Sequence, residues 1–264
     1  MLAETEQFAL VTGAKKGGLG FEVAKQLAIN IGSSGVVFLT AHEENDAIDA
    51  ADTLHSEGIS VQPHELDVAN QKSVARFMGI VRDDSGEITI LVNNAAIFPS
   101  EDRQPVTRTS LRAAGEIFNT NVLGPLRMMR AVIPHMEERK YGRIVYIAGS
   151  WGSPSRAHDE LGGKGGVYGA SKAAGLYLLV STAADLQSRG LTDVLANAID
   201  PGKMKTNMNP TGERPPEDVA EEVIFLATLP IGSEITGRLY RYREQVPFDS
   251  YPRQGIDLPP SRSR

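Results

Sequence analysis

The chain has 264 residues, 41% hydrophobic and 23% charged, a composition that suits one large α/β domain with a sizeable core. A net charge of −6 supplies no field that phosphate backbones would meet, and the lack of cysteine excludes disulfides, thiolate metal sites and a cysteine nucleophile. No apolar run approaches the ~20 residues that span a bilayer, and the leading residues lack a signal-peptide pattern. The expectation is a cytoplasmic protein with no membrane or nucleic-acid partner.

Phe8–Thr12 reads as a short buried strand ended by a glycine-rich turn, and Leu19–Ile31 repeats apolar residues at helical spacing. Val36–Thr40 is a second strand, Glu44–Glu57 a polar helix and Ile59–Asp67 a third strand. Gln71–Asp83 is helical and Ile88–Val92 is strand four. A long helical stretch, Ser110 to Arg139, precedes strand five at Arg143–Ala148. Val167–Ser188 then forms a helix before strand six, Val194–Ile199. Pro216–Thr228 is a further helix, and Gly237–Arg243 the seventh and last strand. Strands alternating with helices predict one doubly wound, Rossmann-type α/β domain over residues 1–248. Its central sheet is mostly parallel and seven-stranded, with helices on both faces. Residues 249–264 form an irregular tail.

The turn after strand one reads Thr12-Gly13-Ala14-Lys15-Lys16-Gly17-Gly18-Leu19-Gly20. Glycines there let backbone approach a pyrophosphate, and the following helix offers its positive dipole end, so the turn is a candidate dinucleotide site. Strand two ends in Thr40-Ala41-His42, without the acidic residue that would bind a ribose 2′-hydroxyl. With Lys15 or Lys16 available as a point charge for a 2′-phosphate, NADPH is favoured; Glu43 and Glu44 keep NADH open.

Three further features follow the strands on the same side: Asn93-Asn94-Ala95-Ala96, Ser150, and Tyr168 with Lys172. Positions i and i+4 of a helix share one face, so the ammonium can lower the phenol's pKa toward working pH. Carbonyl reduction needs such an acid beside the oxygen.

With these motifs the chain resembles the short-chain dehydrogenase/reductase family, from about Phe8 to Phe248. The resemblance rests on the glycine turn, Asp67-Val68, the Asn-Asn-Ala run, Asn121, Tyr168 with Lys172, and Pro201-Gly202 followed by Thr206. The ending Arg238-Leu239-Tyr240-Arg241-Tyr242-Arg243-Glu244-Gln245-Val246 resembles that of monomeric, NADPH-dependent carbonyl reductases. The resemblance implies that Tyr168 transfers the proton and Lys172 tunes it and binds the nicotinamide ribose. Ser150 would orient the substrate oxygen, and Asn121 would hold a relay water. Asp67 and Val68 would approach the adenine, Asn93 and Ala95 the ribose, and Pro201, Gly202, Met204 and Thr206 the nicotinamide. Gly13, Gly17, Gly18, Leu19, Gly20 and His42 complete the cofactor set. A metal is not implied.

Departures from the family pattern leave questions open. The phosphate loop has one residue too many, so either Gly17 or Gly18 is its middle glycine. Ser150 precedes Tyr168 by 18 residues, longer than the family spacing, and Ser153 is the reserve candidate. The additional residues lie in the polar, glycine-rich stretch 155–166, which includes His158. Trp151 is either loop packing or a pocket wall. Asp200 either caps its turn or faces a cationic or hydroxyl-rich substrate. A short segment between Thr206 and Pro215 implies an open pocket for a bulky or carrier-borne ketone. The ending favours a monomer or homodimer over a tetramer. Rival readings are NAD-dependent alcohol oxidation or epimerase/dehydratase chemistry on the same fold, and a non-catalytic NADP(H) sensor or partner-binding protein.

Overall fold

The structure is a computed structural model that describes residues 6–84, 86–99, 103–159, 164–206 and 209–248. The expected tail, 249–264, lies outside the described residues. The strands are β1 (Gln7–Val11), β2 (Gly35–Ala41), β3 (Gln62–Glu65), β4 (Ile90–Asn93), β5 (Gly142–Ile147), β6 (Val194–Ile199), β7 (Leu239–Arg241) and β8 (Glu244–Val246). They form one sheet in the order β3-β2-β1-β4-β5-β6-β7-β8. Every described pairing is parallel except β7 with β8.

Strands β1, β2, β4, β5 and β6 are mainly apolar along their length because both faces of the sheet are covered there. Alternate residues of β1 separate into two cores: Ala9 and Val11 on one face, Phe8 and Leu10 on the other. The first core is closed by α1 (Leu19–Ile31), α2 (Glu44–Ser56) and α8 (Pro216–Ala227). The second is closed by α3 (Gln71–Asp84), α5 (Gly124–Arg139) and α7 (Gly166–Ser188). The other helices are α4 (Leu111–Phe118) and α6 (Pro154–Asp159).

The structure corrects the sequence reading in four places. An eighth strand is present, joined to β7 by Tyr242 and Arg243 at φ 53° and 60°. Two successive left-handed residues make the tight hairpin turn that matches strand twist, but without the Asn-Gly or Asp-Gly signal that would announce it. The third strand is shorter than expected: Ile59 closes the turn after α2 on Leu54, and the Asp67 N–H donates to Ser73 Oγ. The stretch 110–139 is divided by a π-helical segment at Asn119–Leu123. The polar stretch after Ser153 opens with the short helix α6.

The chain leaves β1 toward one face and β4 toward the other, opening a crevice at their carboxyl ends. Thr12 and Asn94 bridge it. The buried Thr12 Oγ1 donates to Val92 O and accepts from the N–H groups of Asn94 (3.1 Å) and Ala95 (3.0 Å). The Asn94 amide donates to the carbonyls of Thr12 (2.8 Å) and Gly13 (2.9 Å). A Cβ on Gly20 would lie 2.5 Å from that amide, so α1 begins against the bridge only because residue 20 has no side chain. Thr12→Val keeps the shape but leaves the Ala95 N–H unpaired and the Asn94 N–H with only its second acceptor, Val92 O at 3.1 Å. It is expected to cost about 1–3 kcal/mol, read as a lowered urea midpoint with an unchanged slope.

Candidate active site

Above the crevice lies a cavity of about 650 Å³. It is lined by Gly13, Lys15, Lys16, Gly18 and Leu19 from the first turn, His42 after β2, and Asp67 and Val68 after β3. Ala95, Tyr168, Lys172, Pro201, Met204 and Thr206 complete the expected residues gathered there. Gly18 is the N-cap of α1 and carries no side-chain cap, so the helix's first N–H groups face the cavity unfilled. Gly17 takes up the additional residue in a left-handed turn, at φ 77°. An anionic pyrophosphate fits this donor set.

Lys15 is tied to Asp46 of α2 at 2.9 Å, whereas Lys16 has no ion pair among the described residues. His42 is exposed, within 3.4 Å of Glu43 and 3.7 Å of Asp67. Asp67 itself accepts from the Ala69 N–H at 2.8 Å.

Some expected contacts are not brought to the cavity. Asn93 is buried within β4, and its amide nitrogen has no partner among the described residues. Strand alternation instead gives the cavity to Asn94. Gly17 and Gly20 shape the turn without lining the cavity, and Gly202 lines a second one. Asn121 is buried beneath: it accepts from the Ile97 N–H (2.8 Å) and donates to Ile97 O (3.0 Å) and Ser171 Oγ (3.0 Å). The π-helical segment turns it toward these partners. Both amide hydrogens are engaged, leaving one oxygen lone pair for a relay water. Ser171 in turn donates to Tyr168 O.

The second cavity, of about 640 Å³, is lined by Ser150, Trp151 and Phe98, and shares Ala148, Tyr168, Pro201, Met204 and Thr206 with the first. Tyr168 therefore stands where the two meet. Ser150 reaches it because residues 150–152 pack tightly on α7: a Cβ on Gly169 would lie 2.5 Å from Trp151 O. Ser153 lines neither cavity and is hydrogen-bonded to Ser155. Trp151 is both wall and packing, since it lines the cavity and lies edge-on to Phe98 at 5.2 Å. Phe98 stacks on Tyr168 at 4.5 Å.

Asp200 is wholly buried and caps its turn, accepting from the N–H groups of Ser150 and Gly202, each at 3.1 Å. Its other oxygen pairs with Arg241. It lines neither of the two cavities, which favours the turn-capping role over the substrate-facing one. The segment after Thr206 folds back on itself, with the Glu213 and Arg214 N–H groups donating to Lys203 O, and is strapped to α8 by Arg214–Glu222.

The expected lowering of the Tyr168 phenol by Lys172 is not what the protein alone produces. Burial first, and then the Asp200 charge, push the phenol up, so it is protonated. The Lys172 ammonium donates to Ile147 O at 2.8 Å and lies 5.7 Å from the Tyr168 ring centroid. Burial lowers its own pKa to about 8, opposed by Asp200.

Sequence reasoning missed Arg156, a lone arginine in a polar run that donates to Ser150 Oγ, and Arg241, one of three arginines at 238–243, which nothing in the sequence marks as the partner of Asp200. The histidines have structural places: His55 bonds to Val61 O, and His64 packs between Phe38 and Phe77. His135 lies with Glu87 and Glu138, where Arg139 also holds Glu87. The side chain of His158 is outside the described residues.

The short chain dehydrogenase family model matches residues 7–216, and the chain belongs to that family. Among its relatives, an NADPH carbonyl reductase 3 of Rattus norvegicus is 29% identical, covering 91% of this chain and 98% of that protein. A (+)-neomenthol dehydrogenase of Arabidopsis thaliana is 31% identical, covering 93% and 99%. A metagenomic short-chain oxidoreductase solved in complex with NADP superposes with a TM-score of 0.73 at 26% identity, covering 90% of this chain and 97% of that one.

A lysine NMR titration is expected to find Lys172 charged below a midpoint of about 8 and neutral above it. Burial opposes charge on this side chain, so its midpoint should fall below those of the surface lysines.

Proposed function

We propose that this protein reduces a ketone or aldehyde with NADPH, reversibly, with Tyr168 as the proton donor. The observation that carries the reading is the position of Tyr168 at the junction of two cavities, one entered by the phosphate turn and one walled by Ser150, Trp151 and Phe98. The carbonyl reductase relatives and the NADP-bound neighbour support the same cofactor and chemistry.

When bound, NADPH supplies the hydride. Its pyrophosphate would meet Gly13, Gly18, Leu19 and the start of α1, with Gly17 shaping the turn and Gly18 as the middle glycine, two residues before Gly20. Lys16, rather than the paired Lys15, would meet the 2′-phosphate, with His42 beside it. Asp67 and Val68 would hold the adenine end, Asn94 and Ala95 the ribose. Lys172, Pro201, Gly202, Met204 and Thr206 would hold the nicotinamide end.

Tyr168 begins as a neutral phenol, the form an acid must have before the carbonyl oxygen gains charge. Ser150 Oγ accepts from Arg156, so its own proton is left to donate to that oxygen. Lys172 supplies a positive charge near the phenolate that forms. Asn121 braces the floor and can enter a water relay only as an acceptor.

Among the described residues no helix is long and apolar enough to cross a membrane. We place the enzyme in the cytoplasm, a reducing compartment compatible with a cysteine-free chain. We also propose a monomer or homodimer, because β8 covers the sheet edge that β7 would otherwise present.

The test is NADPH oxidation with a panel of aldehydes, ketones and quinones, beside NADH. Turnover is expected with NADPH, with Tyr168→Phe reduced at least ~100-fold and Lys16→Ala losing much of the preference for NADPH over NADH. Equal rates with both cofactors, or a Tyr168→Phe variant as active as the parent, would contradict the reading. Cofactor binding without any turnover across the panel would favour a sensor.

A further inference from the structure

Lys172 is buried, and a buried ammonium is costly unless its surroundings replace the water it has lost. Among the described residues its Nζ has one hydrogen-bond acceptor, Ile147 O at 2.8 Å, for three N–H donors. Two aromatic rings face it: Nζ lies over Tyr146 at 5.4 Å from the ring centroid, and over Tyr168 at 5.7 Å. Asp200, in the turn after β6, also favours its charge. Among the described residues these three are the titratable groups that face it: Tyr146 from β5, Tyr168 from its own helix, and Asp200. Tyr146 lines neither cavity, so it can bear on the reaction only through a neighbour.

Tyr146 stands on the face of β5 that α7 covers. Its hydroxyl is buried without a hydrogen-bond partner, and it fits only because α7 places Gly175 opposite, where a Cβ would overlap it. Burial first, and then Tyr168, push its phenol up, so the side chain stays neutral. A neutral phenol whose hydroxyl bonds nothing acts through its ring. We propose that Tyr146 is a positioning residue: the face of its ring holds the Lys172 ammonium charged and in place beside Tyr168. The negative face of an aromatic ring attracts a cation, most strongly away from water, and gives a neutral amine no comparable hold. Adjacent residues of β5 thus grip one ammonium, Ile147 by its carbonyl and Tyr146 by its ring. The proposal rests on the reductase reading only for what that charge does, which is to meet the phenolate as it forms.

The experiment changes the charge of the ring face and keeps its shape. Tyr146→Phe retains the face, whereas pentafluorophenylalanine in place of Tyr146 fills the same space with the sign of the face reversed. The Lys172 midpoint is read by NMR in the full chain, and the pH profile of NADPH oxidation is measured beside it. Tyr146→Phe is expected to keep the midpoint of the parent, about 8. The fluorinated ring should lower it by about one pH unit, with a trifluorinated ring falling between. A lysine is charged below its midpoint, so the alkaline limb of kcat should move to lower pH by the same interval, with KM unchanged. An unmoved midpoint with the fluorinated ring would reduce Tyr146 to packing and overturn the proposal. A midpoint as low in Tyr146→Phe would overturn it too, by placing the effect on the hydroxyl. A lowered midpoint in a protein that oxidises no NADPH would keep the grip of Tyr146 on the ammonium and remove the reductase.

Discussion

Strands β1 and β4 must lie side by side although the chain that follows them departs to opposite faces of the sheet. The hydroxyl of Thr12 and the amide of Asn94 satisfy the backbone groups that this divergence exposes. Everything at the carboxyl edge of the sheet is built outward from that bridge. Gly20 lets α1 start against it, and the unfilled N–H groups of the helix then open into the larger cavity. A fold that only needed stability could close such a gap with apolar side chains; keeping it polar and open leaves room for a dinucleotide.

The second half of the site is arranged by buried charge. Asp200 is held by Arg241 and two backbone N–H groups, so it fixes both the Ser150 turn and the Gly202 turn while staying out of the cavities. Burial first, and then the Asp200 charge, push the Tyr168 phenol up, and the same charge favours the ammonium of Lys172, whose burial works the other way. The lysine's influence on the tyrosine is therefore felt most when a proton leaves the phenol, when a phenolate replaces a neutral ring beside the ammonium.

The mostly parallel sheet, its two covered faces and the glycine turn were legible because they rest on periodicity and on residues with strong local meaning. Tyr168 and Lys172 were legible for the same reason, one helical turn apart on α7. The β7–β8 hairpin was not, because Tyr242 and Arg243 occupy left-handed positions that glycine or asparagine would normally advertise. Nor was the π-helical segment around Asn121, whose sequence continues the helical pattern without a break. Arg143 looks like the polar edge of strand five, yet it is wholly buried with its guanidinium on the carbonyls of Leu229, Pro230, Gly142 and Asp193. Long-range partners of this kind decide where a lone arginine goes, and a sequence does not display them. Arg156, whose guanidinium reaches Ser150 Oγ, belongs to the same class.

The most direct test of the account follows the hydrogen itself. NADPH deuterated at the nicotinamide C4 would be incubated with the protein and a ketone, and the product alcohol analysed by NMR. The account predicts one deuterium on the carbinol carbon, delivered to a single face, with the hydroxyl proton exchanging with solvent and the transfer failing in Tyr168→Phe. Transfer at an undiminished rate in that variant, or bound NADPH that gives up no deuterium to any carbonyl, would contradict it.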